Sequence, residues 1–175
     1  AFGATPALII YNWALQEMPR FGWTISVFFV LCAALRLARF NARIDADEQP
    51  HKSAGFNTGI PAPAGAGLAA LPLMVWIVTG LDAARDWRIV APWLLLVALG
   101  MISNIATFSW ASIKIRPAMR FMALAVVGLV AAGLVTAPWE TLIVITAVYI
   151  GLLPLSIVSY ARVKRNRAAG SPTQA

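Results

Sequence analysis

The chain has 175 residues, of which 60% are apolar and only 12% are charged, and its formal net charge is +7. A soluble domain has roughly 45–50% apolar and about 25% charged residues, so this composition excludes an ordinary soluble globular domain. The single cysteine, Cys32, excludes a disulfide framework and a cysteine-based metal site. The apolar residues form long runs separated by short charged segments, a pattern typical of a membrane protein with several spans.

The apolar runs predict an all-α fold, a polytopic bundle of transmembrane helices. Each full span is close to the ~20 residues that cross a hydrocarbon core of ~30 Å. The membrane domain is expected to cover residues 1–162, and the polar composition of 163–175 predicts a disordered tail. The predicted partial span covers residues 1–15, and the five predicted full spans cover 22–40, 59–80, 91–110, 121–135 and 141–160.

The basic residues predict the orientation of these spans. Eleven of the 14 lie in or beside the 41–58 loop, the 111–120 loop and the C-terminal tail. Only Arg20, Arg85 and Arg88 lie on the opposite side. The positive-inside rule places the basic side, including Ala1, in the cytoplasm. Because topology accounts for the charge, no nucleic-acid partner is expected. The chain starts within an apolar segment, and we expect that a preceding part is missing.

The first candidate site is the helix "FFVLCAALRLARFNARIDADE". At 100° per residue, Arg36, Arg39 and Arg43 lie within about 60° of one another on one helix face, and Asn41 adjoins them. The planar guanidinium group suits phosphate and carboxylate ligands. The alternative is that these arginines extend to the lipid headgroups and only set the orientation of the helix. The pattern alone leaves both interpretations open.

The second candidate is "GFNTGIPAPAGAGLAAL", in which Asn57 suits a turn and Pro61 and Pro63 precede or enter a span. Proline keeps the local chain extended and leaves a carbonyl without its helical partner. Irregular backbone at membrane depth is tolerated mainly where it lines a cavity. The alternative is an ordinary helix start followed by small residues that allow close helix packing.

The third candidate is "MISNIATFSWASIKIRP", where polar residues from Ser103 to Ser109 occupy a helix end. They suit a polar headgroup site or, alternatively, hydrogen bonds between helices. His51, the only histidine, lies among acidic residues in a charged loop, where a solvated side chain is favoured over a metal ligand. None of the seven acidic residues lies in the middle of a span, so a proton relay across the membrane lacks its usual carriers.

Taken in this order, these stretches resemble the CDP-alcohol phosphatidyltransferase family, and in particular its phosphatidylserine synthase branch. "AFGATPALIIY" is similar to the segment that follows the family's last catalytic aspartate. "CAALRLARFN" resembles its arginine-bearing helix, and "FNTGIPAPAGAG" and "MISNIATFSW" resemble two further stretches of the branch. The likeness covers residues 1–117. The family's aspartate motif, D-x-x-D-G-x-x-A-R followed by G-x-x-x-D-x-x-x-D, has no counterpart here. We expect it upstream of Ala1, so no catalytic or metal-binding residue carries over.

The resemblance implies an integral membrane enzyme of the bacterial inner membrane whose active site faces the cytoplasm. It would make phosphatidylserine and CMP from CDP-diacylglycerol and L-serine, with divalent Mg or Mn held by aspartates that this chain lacks. The isolated chain is expected to be inactive, and the resemblance is compatible with a homodimer. The substrate-binding residues that it implies are Arg36, Arg39, Asn41, Arg43, Asn57, Pro61, Pro63 and Ser103.

Three alternatives remain at this point. A sister enzyme of the same family would use another acceptor alcohol. A transporter fragment would also contain helices interrupted by glycine and proline, but the chain has no internal repeat and no acidic residue within a span. A structural membrane subunit without a ligand site would leave the arginine face unexplained.

Overall fold

A computed structural model of the chain describes residues 1–42, 56–103, 106–108 and 120–169, of which 56–58, 106–108, 120 and 155–169 are described by their backbone alone. The described residues form six α-helices, two strands and two short 3-10 helices. The helices are α1 (Ala4–Trp13), α2 (Gly22–Ala42), α3 (Ala62–Thr79), α4 (Trp87–Ile102), α5 (Arg120–Thr136) and α6 (Pro138–Ala169); the strands are β1 (Phe56–Thr58) and β2 (Ala106–Phe108); and the 3-10 helices are Leu15–Glu17 and Asp82–Arg85.

The predicted all-α membrane bundle is confirmed. Helices α2 and α3, with 21 and 18 residues, are long and apolar enough to cross a membrane by length and composition. Three further apolar helical segments are shorter, namely Trp87–Ile102, Phe121–Thr136 and Pro138–Pro154. The span predicted for 91–110 ends earlier, because α4 stops at Ile102 and Ser103 is extended, with ψ 159°. The two strands form an unpredicted antiparallel pair, in which Asn57 lies opposite Thr107.

The last helix is longer than the sequence predicts. Helix α6 continues to Ala169, so the backbone of 163–169 is helical, which differs from the disorder expected there. Alanine, lysine and arginine are strong helix formers, and basic residues are favourable near the C-terminal end of a helix dipole. The remaining residues of the predicted tail, 170–175, lie outside the described part of the chain.

The core forms where α2 packs against α4. Both helices bury residues at the same spacing, i, i+4, i+7, i+8 and i+11, which follows one face of an α-helix. The last position of this buried face is Met101 on α4 but Arg36 on α2. The α2 face consists of Ile25, Phe29, Cys32, Ala33 and Arg36, and the α4 face includes Val90, Leu94, Val97, Ala98 and Met101.

The helices alternate in direction, so the bundle has two distinct ends. At the first, called the arginine end, Arg36 and Arg39 of α2 meet Ile60, before α3, and Ile102, at the end of α4. Gly3 also lies near this end, because an added Cβ on it would be 3.0 Å from the Cβ of Ala33.

At the opposite end, called the tryptophan end, α1 and α3 finish and α4 begins. The Trp13 and Trp76 rings meet edge to face, with centroids 5.8 Å apart. Arg85 donates from Nε to the Trp13 carbonyl at 2.9 Å, and its Nη2 lies 3.6 Å from Glu17 Oε1.

Proline interrupts α3 midway, and a tryptophan from α4 compensates. Pro72 has no N–H, so the carbonyl of Leu68, four residues earlier, cannot receive its usual helical hydrogen bond. The Nε1 of Trp93 donates to that carbonyl at 2.8 Å. The contact joins α3 to α4 halfway along their length and satisfies a backbone group that lipid cannot satisfy.

Helix α5 contrasts with this core. Its apolar side chains are largely exposed in the described structure, and Phe121 and Val135, near its two ends, are each 85% exposed. It approaches α6 closely at Gly133, where an added Cβ would lie 2.7 Å from Thr141 Oγ1. Such an apolar surface suits a lipid environment, in agreement with the composition.

Candidate functional site

Arg36 lies inside the bundle rather than on its surface. Its residue exposure is 9%, and its Nε donates to the carbonyl of Ile60 at 3.2 Å. That carbonyl precedes Pro61, which holds Ile60 in an extended conformation, so it takes no part in α3. An arginine that extends to lipid headgroups would be exposed at its guanidinium. The burial of Arg36 therefore favours a role within the protein.

Arg39 lies one turn further along α2 and is partly buried. Its Nη1 donates at 3.2 Å to the carbonyl of Ile102, the last residue of α4. The final carbonyls of a helix have no partner within it, and they form the negative end of its dipole. The positive charge of Arg39 therefore complements the end of α4.

Residues 59–61, the segment that Arg36 contacts, have an irregular backbone. Gly59 has φ +73°, and an added Cβ would lie 2.7 Å from the carbonyl oxygens of both Met101 and Ser103. Glycine is required here because it has no side chain to meet these atoms and adopts positive φ readily. The next residue, Ile60, donates its N–H to the Gly100 carbonyl at 3.2 Å, and Ser103 Oγ donates to the same oxygen at 2.8 Å.

The two prolines mark the start of α3. Pro61 caps the helix in an extended conformation, with φ −60° and ψ 147°, and Pro63 lies in its first turn. Irregular backbone is thus confined to the residues before Ala62, and the helix then starts in the ordinary way. Gly65 lies directly against Met101 of α4, since an added Cβ would be 2.7 Å from the methionine sulfur. The small residues therefore serve close helix packing.

The structure brings together Arg36, Arg39 and Ser103 around the 59–61 segment, which includes Pro61. Asn41 is exposed near the end of α2, so it is not part of this cluster. Asn57 is positioned by its backbone in β1, which leads into the segment. Arg43 and His51 lie outside the described residues, as do Asn104 and Ser109.

The sequence analysis missed one polar group near this cluster, the hydroxyl of Tyr149 on α6. Its oxygen is buried and has no hydrogen-bond partner among the described residues. Thr146, one turn before Tyr149, lies near Gly67 of α3, and α3 starts shortly after the Ile60 carbonyl that accepts from Arg36, so Tyr149 lies toward the arginine end. The available signal was a tyrosine one turn after Thr146 in an otherwise apolar helix, at a position that faces the core.

The described residues also bear on metal binding. Within 1–42, 56–103, 106–108 and 120–169, no group of three or more His, Cys, Asp or Glu side chains lies close enough together to hold a metal ion. This part of the chain therefore does not supply a ligand set for a divalent cation, and we assign no metal ligand in it.

The fold and this cluster define an all-α integral membrane protein that carries one buried and one partly buried arginine at one end of its bundle. A sequence model described as CDP-alcohol phosphatidyltransferase 2 matches residues 118–154, which cover all of α5 and the first half of α6. Relatives extend the similarity to the arginine end. A CDP-diacylglycerol–serine O-phosphatidyltransferase of Mycobacterium tuberculosis is 33% identical over 165 residues, which is 90% of this chain and 55% of the relative.

Two other proteins of that name give similar values. The one from Mycobacterium leprae is 32% identical over 89% of this chain and 52% of its own length. The one from Helicobacter pylori is 30% identical over 65% of this chain and 46% of its own length. The chain is therefore similar in sequence to proteins of the CDP-alcohol phosphatidyltransferase family. It spans about half the length of the curated relatives that it matches.

Proposed function

We propose that this chain is part of a phosphatidyltransferase that makes phosphatidylserine and CMP from CDP-diacylglycerol and L-serine. The names of relatives at 31–33% identity over 90% of the chain support the choice of serine as acceptor. The observation that carries the proposal is the buried arginine, Arg36, held beside the 59–61 segment at one end of the bundle. A cation at this depth is costly unless it has a partner or a ligand, which makes it a candidate for function.

In this proposal the guanidinium groups bind the anionic parts of the substrates. CDP-diacylglycerol carries a diphosphate, and L-serine carries a carboxylate, and both suit the planar donor fork of arginine. Arg39 lies one turn from Arg36 and contributes a second charge to the same region. The serine hydroxyl would attack the phosphorus next to diacylglycerol, and CMP would leave.

The other predicted site residues keep lesser roles in the proposal. Ser103 and Pro61 help to hold the 59–61 segment in place, and Pro63 starts the adjoining helix. Arg43, Asn41 and Asn57 stay predicted substrate contacts, as the family resemblance implies. Proteins of this family generally use a divalent metal, for which we propose Mg or Mn. The described residues offer no ligand set for it, so no step of the reaction is assigned to it here.

The reaction itself is tested by serine incorporation. Membranes that contain the complete gene product are incubated with CDP-diacylglycerol and labelled L-serine, and we expect labelled lipid together with an equal amount of CMP. Parallel reactions with glycerol 3-phosphate and inositol test the sister activities. Release of CMP with one of those alcohols, and not with serine, would contradict the proposed acceptor.

The isolated 175-residue chain serves as the matching control. We expect it to release no CMP, because the aspartate motif of the family has no counterpart in its sequence. Chelator-sensitive release of CMP by the purified chain would mean that its own residues bind metal and catalyse the reaction.

We further propose that the arginine end faces the cytoplasm, in the inner membrane of a bacterium, and that the protein forms a homodimer. The distribution of basic residues supports this orientation. Cysteine substitutions near Arg165 and near Arg85, in a Cys32→Ser background, test the orientation with a reagent that does not cross membranes. In intact cells we expect labelling near Arg85 only. Labelling near Arg165 alone would reverse the proposed topology.

A further inference from the structure

We propose that Tyr149 of α6 is a substrate-binding residue, whose hydroxyl and the guanidinium of Arg36 together hold one oxyanion of a substrate. This inference rests on the proposed function and deepens it, because it adds a residue of the last helix, α6, to the site. The ligand group is a carboxylate or a phosphate oxygen, and the experiment below distinguishes these two sources.

The Tyr149 hydroxyl lies in surroundings that call for a ligand. Its oxygen is buried, and among the described residues it has no hydrogen-bond partner. Buried polar groups are almost always paired, and an exception calls for an explanation such as a ligand or a water molecule. A phenylalanine at this position would fill the same space without this unfavourable burial.

Arg36 supplies the positive charge of the proposed pair. Arg36 is buried on α2 and donates to the carbonyl of Ile60, which lies just before α3, the helix against which α6 packs. A guanidinium has five N–H donors and no acceptor, so it cannot receive the hydroxyl proton. An oxygen that accepts hydrogen bonds from both side chains satisfies the hydroxyl, and a negative charge on that oxygen suits the arginine.

Packing on α3 positions the part of α6 that carries Tyr149. Helix α6 packs against α3, with Thr146 Oγ1 3.9 Å from the position of an added Cβ on Gly67. Thr146 is itself buried and donates to the Leu142 carbonyl at 2.8 Å, so its hydroxyl proton already has an acceptor within the helix. Tyr149 follows on the side that packs against the core. The tyrosine ring is therefore supported by the core, as a binding group requires.

The experiment uses Tyr149→Phe in the complete gene product, with Tyr11→Phe as the matched control. Tyr11 packs edge to face on Trp23, away from Arg36, so the same loss of a hydroxyl there tests for general effects. We expect Tyr149→Phe to raise one KM by about three- to tenfold, the range of one hydrogen bond. A rise for L-serine identifies a carboxylate ligand, and a rise for CDP-diacylglycerol identifies a phosphate ligand. Tyr11→Phe should change neither KM.

A binding measurement separates this inference from the proposed reaction. The thermal unfolding of the purified protein in detergent is recorded with and without L-serine, and with and without CDP. We expect one of these ligands to stabilise the wild type, and Tyr149→Phe to lose most of that stabilisation. If the wild type incorporates no serine, the proposed function fails. The ligand-dependent shift in unfolding temperature still tests whether Tyr149 binds a ligand.

Two outcomes would overturn the inference. In the first, Tyr149→Phe is more stable than the wild type while both KM values and the ligand-dependent shifts are unchanged, as expected for a hydroxyl that only holds water. In the second, neither ligand stabilises the wild type and Tyr149→Phe leaves both KM values unchanged.

Discussion

The arginine end and the tryptophan end use the same bond in different surroundings. At both ends a guanidinium donates to a backbone carbonyl of another segment: Arg36 to Ile60, Arg39 to Ile102, and Arg85 to Trp13. Arg36 is buried, whereas the Arg85 side chain is 45% exposed and pairs with a Glu17 side chain that is 69% exposed. Water can replace the bond at the tryptophan end but has little access to Arg36.

The comparison separates anchoring from function. An exposed arginine that joins two helix ends needs only a carbonyl and a nearby carboxylate. A buried arginine is much more costly, because its charge is removed from water. A membrane protein that needed only an anchor could use an apolar side chain in its place. The difference in burial therefore locates the candidate site at the arginine end, although both ends contain arginine.

The largest expected difference between the ends comes from two glycines of positive φ. Gly59→Ala should destabilise the protein by about 2–5 kcal/mol, of which about 1–2 comes from the left-handed backbone and about 1–3 from overpacking against two carbonyl oxygens. Gly80, with φ +68° at the tryptophan end, has no atom within 4 Å of an added Cβ. Gly80→Ala should therefore cost only about 1–2 kcal/mol.

The measurement is unfolding of the purified chain in detergent, followed by circular dichroism for both variants. Equal losses at the two glycines would mean that the 59–61 segment is not held tightly against the end of α4, which would remove the structural basis of the arginine end.

The next effect is on activity. In the complete gene product, Arg39→Ala should reduce serine incorporation by roughly 10- to 100-fold, because a hydrogen bond from a charged group contributes about 1.5–3 kcal/mol. Arg39→Lys should recover only part of the activity, since lysine keeps the charge but loses the planar fork. Arg167→Ala is the control, because one charge among four in a basic segment is readily screened.

Activity is measured in membranes at matched expression, and the amount of folded protein is determined for each variant. If Arg39→Ala is as active as the wild type, the arginines of α2 serve orientation rather than binding.

The smallest effect is expected at the tryptophan end. Glu17→Gln removes the ion pair with Arg85 but leaves the hydrogen bond from Arg85 to Trp13. Exposed pairs contribute about 0–1 kcal/mol, so the stability should change by less than about 1 kcal/mol, and serine incorporation should not change. Any difference should shrink as salt is raised. A loss of activity comparable to that of Arg39→Ala would show that the two ends do not differ in the way that their burial indicates.

The helices were predictable from the sequence, whereas the partners of the site residues were not. Long apolar runs bounded by charge or proline predict α2 and α3 closely, because length and composition decide these elements locally. The carbonyls that receive Arg36 and Arg39 lie 24 and 63 residues away along the chain. Only tertiary packing brings them together, so the sequence indicated the arginine face but not what it contacts.

Two other features were missed for different reasons. The polar composition of 163–169 predicts disorder, whereas the helix propensity of its alanine, lysine and arginine residues favours the helix that forms. Tyr149 was missed because a single tyrosine in an apolar helix carries no pattern, and its importance depends on Arg36, which is more than 100 residues away. Arg36 and Arg39 both contact neighbouring segments at the arginine end, in agreement with the predicted arginine face, while Arg43, its third member, lies outside the described residues.

The proline in α3 has a consequence for motion. Trp93 reaches the carbonyl that Pro72 leaves without a partner, and Ile60 donates to Gly100 nearer the arginine end, so α3 and α4 are joined at two heights. Sliding one helix past the other by a single turn, about 5.4 Å, would break both bonds at once, in an interior where no water can replace them. Shear between these helices is therefore strongly opposed, and they move as one body. We expect any rearrangement during a reaction cycle to take place by displacement of other helices against this pair.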